Sequence, residues 1–331
     1  MSAPGMALLP QHTESPLHSL STRGRWWQRL THRCASADCP HNGKFWSAWL
    51  HATSVVEFEG RRYCGLSCLK ASVAFRVHTL LASFRQEKPR AFRLPLGLLL
   101  IHQGALTQEQ LRSALHQQRE LGRGRIGDWL LQLGMVSEEQ LTQALGQQWA
   151  CPVFPLELQP SKASWSDLLP VPLLESACAV PVHASPDGRL VHLAFADRVD
   201  HTLLYAVEQM LGCRTVACVA SATSIARLLE HFRRTAAREE TSFDTVRDPR
   251  DVTSTISNYA EELHATRISL ARAAAYIWVR FHRNRSTRDL LFRVLPDAAT
   301  TFSDRLNNLA KAFSISVDKG RDGVSDAPEP L

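Results

Sequence analysis

The chain has 331 residues, 44% of them hydrophobic, and a formal charge of +6. That is room for two or three small cores, and it favours an anionic partner that composition alone does not name. No apolar run approaches the roughly 20 residues of a membrane-spanning helix, and residues 1–20 have neither the basic nor the long apolar region of a secretory signal. The expectation is a cytoplasmic α+β protein of several modules, with residues 1–24 disordered.

Residues 25–88 contain two close cysteine pairs, Cys34 with Cys39 and Cys64 with Cys68. Between the pairs, Val55, Val56 and Phe58, then Gly60 and Tyr63, read as a β-hairpin. Thiolates spaced in this way can face one metal, and two such pairs complete a tetrahedral zinc site. Cys68 opens a helix that continues through Val73, Val77 and Leu81, and the dipole at its start favours thiolate. The layout resembles a zinc ribbon or treble-clef finger with a first pair looser than the usual CxxC. Disulfides are the alternative, disfavoured where no secretory segment is seen. Cys151, Cys178, Cys213 and Cys218 lie singly in apolar surroundings and read as buried thiols.

Residues 96–118 are repeated thirty positions on, at 126–148. Each copy spells a short helix, a glycine stop (Gly104, Gly134) and a second helix. Thr107 and Ser137 are N-caps, and Gln110 and Gln140 three residues later can close a capping box. Leu111, Ala114 and Leu115 in one copy, and Leu141, Ala144 and Leu145 in the other, form the apolar face of the second helix.

This pattern resembles the MshEN domain, the cyclic di-GMP-binding N-terminal domain of the assembly ATPases of type II secretion and type IV pili. The second copy carries the motif throughout, as Arg125, Ile126, Gly127, Leu130, Leu131, Gly134, Met135, Val136, Leu141, Leu145 and Gln148. The first carries Leu96, Gly97, Leu100, Gly104, Leu111, Leu115 and Gln118, but has Pro95 in place of the arginine; the nearest guanidinium is that of Arg93. The resemblance implies that the glycines let the backbone approach the ligand, that the apolar residues pack on guanines and that the arginines meet phosphates. A doubled helix pair also suits a ligand with two purines and two phosphates. The alternative is that the glycines serve only turns and the leucines only the core.

Residues 179–183 and 190–195 read as strands around a turn at Pro186, Asp187 and Gly188. A helix over 199–211 stopped by Gly212, a strand over 214–219, and a helix capped by Ser221 and running through Leu229 and Phe232 complete a small α/β layer. The resemblance thereby extends over residues 93–233, as a tandem repeat at 93–150 and an α/β part at 151–233. It implies that Asp197 reaches a guanine edge, although Arg198 replaces a proline that follows in many members. A solvated strand-end carboxylate is the alternative.

Residues 234–251 alternate in charge and read as a linker, and 252–313 as a helical region. Its first helix spans 252–281 on Ile256, Leu263, Leu270, Ala274 and Ile277, followed by a basic run of Arg280, His282, Arg283 and Arg285 and a second helix over 302–313. A disordered tail covers 314–331.

A phosphate loop is missing: the one Gly-Lys pair, Gly43-Lys44, is followed by Phe45. Neither a GxSxG elbow nor an HExxH pair occurs, and the histidines are scattered, so no enzyme is expected. The expected function is a non-enzymatic, cyclic di-GMP-binding regulator or adaptor of secretion or pilus machinery with a structural zinc. The alternatives are a protein-docking scaffold that has lost the nucleotide and a zinc-dependent nucleic-acid binder. The last is disfavoured because the second helices are rich in glutamine and glutamate where a groove reader wants basic residues.

Overall fold

The computed structural model describes residues 34–40, 55–85, 93–121, 124–156, 169–235, 240–244, 246, 248–284 and 286–294. The expected disordered start, the helix over 302–313 and the tail lie outside these residues.

The hairpin of the first third consists of β1 (Val56–Phe58) and β2 (Arg61–Tyr63), followed by α1 (Leu66–Arg85). Its two turn residues, Glu59 and Gly60, both have positive φ (49° and 73°), the geometry that matches the right-handed twist of paired strands. Arg76 on α1 holds the turn through Glu59 at 2.7 Å.

The repeat forms four helices, α2 (Leu96–His102), α3 (Gln108–Leu121), α4 (Ile126–Gln132) and α5 (Glu138–Trp149). Both capping boxes are present and match in length. The Thr107 and Ser137 N–H groups donate to Gln110 and Gln140 at 2.8 Å, and the Gln110 and Gln140 N–H groups donate back to the hydroxyls at 3.2 Å. Gly104 and Gly134 sit at φ 71° and 64°. Ala105 N–H reaches Leu100 O and Met135 N–H reaches Leu130 O, closing a Schellman turn in each copy. The copies embrace about an approximate twofold axis: α2 packs on α5 and α3 on α4. Leu100, Ala114, Leu130 and Ala144, all at 0% exposure, form the centre of this core.

The α/β layer follows the expected order, with α6 (Val171–Ala177), β3 (Ala179–Ala184), β4 (Leu190–Phe195), α7 (His201–Leu211), β5 (Arg214–Val219) and α8 (Ala222–Thr235). Strand β4 is central, antiparallel to β3 and parallel to β5. Glu138 at the start of α5 accepts from the Thr223 N–H (2.8 Å) and hydroxyl (2.7 Å), tying the repeat to the first turn of α8. Of the four single cysteines, Cys178, Cys213 and Cys218 are buried as expected; Cys151 is only half-buried.

The C-terminal part departs from the expectation. The stretch read as a linker contains a strand, β6 (Glu240–Phe243), and the helix expected over 252–281 is α9 (Pro249–Glu262), ending far earlier. After it come β7 (Arg267–Ala273), β8 (Tyr276–Arg283) and β9 (Ser286–Arg293), so the described part of the region read as helical is mostly sheet. These strands do not stand alone. They join the N-terminal hairpin in one six-stranded sheet of order β2-β1-β7-β8-β9-β6, with β1 parallel to β7.

One face of this sheet, with Ile268, Leu270, Ile277, Val279, Phe281, Leu290 and Phe292, is covered by α1 and α9 through Val73, Val77, Ile256 and Ala260. On the other face, Ala271, Ala273, Trp278 and Leu291 pack into the core of the α/β layer. Burial on both faces is why β8 carries no polar-apolar alternation that would betray a strand. The cysteine segment is therefore one wall of a domain completed by the far end of the chain.

The basic run is also divided by the fold. Arg280 is 3% exposed, paired with the fully buried Asp289 at 2.8 Å and 3.0 Å, while Trp278 Nε1 donates to the same carboxylate at 3.0 Å. It belongs to the interior. Arg283 remains exposed, and Arg285 lies outside the described residues.

Candidate functional site

Two constellations stand out, one at the repeat and one at the cysteines. In the repeat, Gln118 and Gln148 lie in the last turns of the equivalent helices α3 and α5 and perform equivalent work. The Gln118 amide donates to Gly124 O at 2.9 Å and the Gln148 amide to Leu94 O at 2.7 Å. Gly124 directly precedes Arg125, and Leu94 directly precedes Pro95, so each copy's last helix holds the chain where the other copy's first helix begins.

At the second copy, Arg125 is the N-cap of α4, with its N–H donating to Asp128 at 3.3 Å. Its guanidinium is ion-paired with Asp197, which lies beyond β4, and both side chains keep about a third of their surface exposed. Two residues expected at the nucleotide site from separate modules are thus in contact.

At the first copy, Pro95 caps α2 without an N–H, and position 98, where the second copy has Asp128, is an exposed leucine. The proline and Leu98 are consistent with each other: a residue with no N–H needs no acceptor three positions on. Arg93 is exposed and lies with its guanidinium over the Trp149 ring, 3.3 Å from the centroid. The Cys151 thiol is near enough to respond: burial raises its pKa, and the Arg93 charge opposes the rise.

The remaining expected contacts divide by burial. Leu100 and Leu130 are at 0% exposure, and Leu141 and Leu145 are nearly as buried, so these four are core. Gly97 and Gly127 are buried in the first turns of α2 and α4. A Cβ on Gly97 would come within 2.6 Å of Leu111, and one on Gly127 within 3.4 Å of Leu141, so both admit the facing leucine of their own copy. Leu96, Leu111, Leu115 and Ile126 are half-buried, and Gly104 and Gly134 are exposed turn residues. Sequence reading passed over Trp149 and Glu138. An aromatic after the last glutamine of the second copy, where the first has Arg119, was the available signal for Trp149.

At the second constellation, the sulfurs of Cys34, Cys39, Cys64 and Cys68 lie within 4.8 Å of one another. The Cys39–Cys64 and Cys64–Cys68 separations are 3.5 and 3.6 Å. Four thiolates about 2.3 Å from one zinc stand about 3.8 Å apart, whereas a disulfide needs about 2.05 Å. The cluster has the spacing of a metal site. Burial penalises the thiolate form and so raises the pKa values of Cys64 and Cys68, an effect that a bound dication would reverse. Cys64 follows β2, Cys68 lies in the first turn of α1, and the loop bearing Cys34 is pinned by Ala35 N–H to Arg62 O at 2.8 Å.

Residues 149–239 match the family model of the MshEN domain. Over these residues the chain is similar to an MshEN domain. The matched stretch begins at the end of α5 and runs through the α/β layer, so the tandem repeat precedes it. The type IV pilus assembly ATPase PilB of Thermus thermophilus is 29% identical over 117 residues, which are 35% of this chain and 13% of PilB. The chain therefore spans only a small part of that relative. Among solved structures, that of MshE with cdg is 29% identical, covering 42% of this chain and 99% of MshE's, with a TM-score of 0.36. The N-terminal domain of XpsE, in two crystal forms, is 22% identical, with TM-scores of 0.32 and 0.26, covering 41% and 44% of this chain and 91% and 98% of XpsE's. Among the described residues, no helix is long and apolar enough to cross a membrane.

Proposed function

We propose that the MshEN domain of this chain binds cyclic di-GMP in the manner the sequence resemblance implies, that the chain is a non-enzymatic cytoplasmic regulator or adaptor of secretion or pilus machinery, and that the four cysteines hold a structural zinc. The observation that carries the reading is the approximate twofold pairing of the helix pairs, with Arg125 and Arg93 flanking the two clamped backbone sites. A ligand with two equivalent phosphates can address both ends of such an arrangement, and arginine offers each a fork of donors.

Titration of the full chain with cyclic di-GMP by calorimetry tests this. Binding should be saturable, abolished by Arg125→Ala and strengthened by Pro95→Arg about ten- to a hundredfold, the worth of one charge-assisted contact of about 1.5–3 kcal/mol. If neither the unaltered chain nor Pro95→Arg binds near 100 micromolar, about −5.5 kcal/mol, the nucleotide reading fails. One observation favours a second reading, a docking scaffold without nucleotide: Arg125 already has a carboxylate partner in Asp197. The two readings separate on the same titration.

A further inference from the structure

We infer that Trp149 is a positioning residue for Arg93, and that the stacked pair supplies the first copy of the repeat with the cation that Pro95 removes. This rests on the nucleotide-binding reading above.

The two copies solve one placement problem differently. In the second, the arginine follows the clamped carbonyl of Gly124, starts from a helix N-cap and is held by the Asp197 carboxylate. In the first, the residue after the clamped carbonyl of Leu94 is a proline, and the arginine comes before the clamp. A residue preceding proline is confined to extended backbone, so Leu94 cannot coil Arg93 back toward α2. The side chain has to be steered by something outside its own segment. The last turn of α5 does this with neighbouring residues: Gln148 holds the Leu94 carbonyl at 2.7 Å and Trp149 lies under the guanidinium at 3.3 Å.

Stacking uses the flat face of a guanidinium, whereas its N–H donors point outward in its plane. Arg93 can therefore be fixed on the indole and still present a donor edge to a phosphate. The ring beneath it is neutral, and among the described residues no carboxylate is paired with it, whereas Arg125 must exchange Asp197 for the ligand. The indole is itself anchored, since its ring also meets His201 at the start of α7, with centroids 6.4 Å apart. That contact raises the competing possibility that Trp149 merely cements the repeat to the α/β layer.

A double-mutant cycle on the full chain, read by calorimetric titration with cyclic di-GMP, separates the two. Trp149→Leu should weaken binding about three- to tenfold, and Trp149→Tyr should restore most of it. The double variant Arg93→Ala/Trp149→Leu should bind no more weakly than Arg93→Ala alone, because the ring acts only through the guanidinium. Losses that add in the double variant would overturn the proposal while leaving the nucleotide reading intact, provided Arg125→Ala still abolishes binding. No binding by the unaltered chain or by Pro95→Arg overturns both. A measurement without ligand guards against misfolding of the leucine variant: in the unaltered protein the Arg93 Nε–H resonance, assigned through Arg93→Lys, should be displaced by the ring current of Trp149. An undisplaced resonance overturns the stack itself.

Discussion

Gly97 and Gly127 occupy equivalent places in the two copies, yet the space beside them differs. A methyl on Gly97 would press on both Leu111 Cδ atoms at 2.6 and 2.8 Å, whereas one on Gly127 would rest at ordinary contact, 3.4 Å from Leu141. Replacing a helical glycine by alanine gains up to about 1 kcal/mol in propensity, and overpacking costs about 1–3 kcal/mol. Gly127→Ala should therefore be neutral or slightly stabilising, and Gly97→Ala should lose about 1 kcal/mol, as chemical denaturation would record. Equal effects would mean that the copies are packed alike. The buried Arg280–Asp289 pair yields a larger prediction. Asp289→Ala strands a guanidinium at 3% exposure and should cost about 3–5 kcal/mol, whereas an exposed neighbour such as Arg283→Ala should change stability by no more than about 0.5 kcal/mol.

At the scale of elements, the two capping boxes invite a paired test. Thr107→Ala and Ser137→Ala each remove a hydroxyl that accepts at 3.2 Å and should each cost about 1 kcal/mol. A markedly smaller loss in either would show that its helix is held by packing alone. These helices were legible in the sequence because their signals are local: a hydroxyl, a glutamine three residues on, and a glycine at the stop. The layer of β3, β4 and β5 was legible for the same reason, with Gly188 and Gly212 at φ 68° and 67° where punctuation was expected. The strands β7 to β9 were not. Residues 271–275 include four alanines, a strong helix signal, and the turn between β7 and β8 is made by Ala274 at φ 49° with neither glycine nor asparagine. That strained residue is held from outside, its N–H donating to the Thr202 hydroxyl at 3.2 Å, and no reading of residues 252–281 in isolation reveals a partner 72 positions away. At the candidate site, Arg125, Asp197 and the four cysteines could be named from motifs, but the meeting of Arg93 with Trp149 depends on how α5 ends against the first copy.

At the scale of the whole molecule, the cysteine cluster bears on more than its own loop. Cys39 and Cys68 share a core with Ile268, Leu270 and Ile277 from the C-terminal strands. If the cluster holds zinc, preparations made without added metal should contain about one zinc per chain. Its removal by chelator should raise amide hydrogen exchange in β7 and β8 as well as in β1 and β2, while α2 to α5 stay protected. Exchange confined to residues 34–85 would show that the hairpin closes the sheet without help from the metal.

The parallel pairing of β1 with β7 also fixes an order of events at birth. Glu57 and Arg267, joined across that pairing, are 210 residues apart, and a ribosome adding about 5–20 residues each second needs about 10–40 s to deliver the second after the first. For that interval the first hairpin has no neighbour on either edge, and a lone two-stranded hairpin is marginal in water. The tandem repeat and α/β layer, which lie between, emerge and can fold first. The nascent hairpin then depends on whatever grips it early. Four clustered thiols are suited to that, because a metal captured before the C-terminal strands exist would keep the template edge in shape until they arrive.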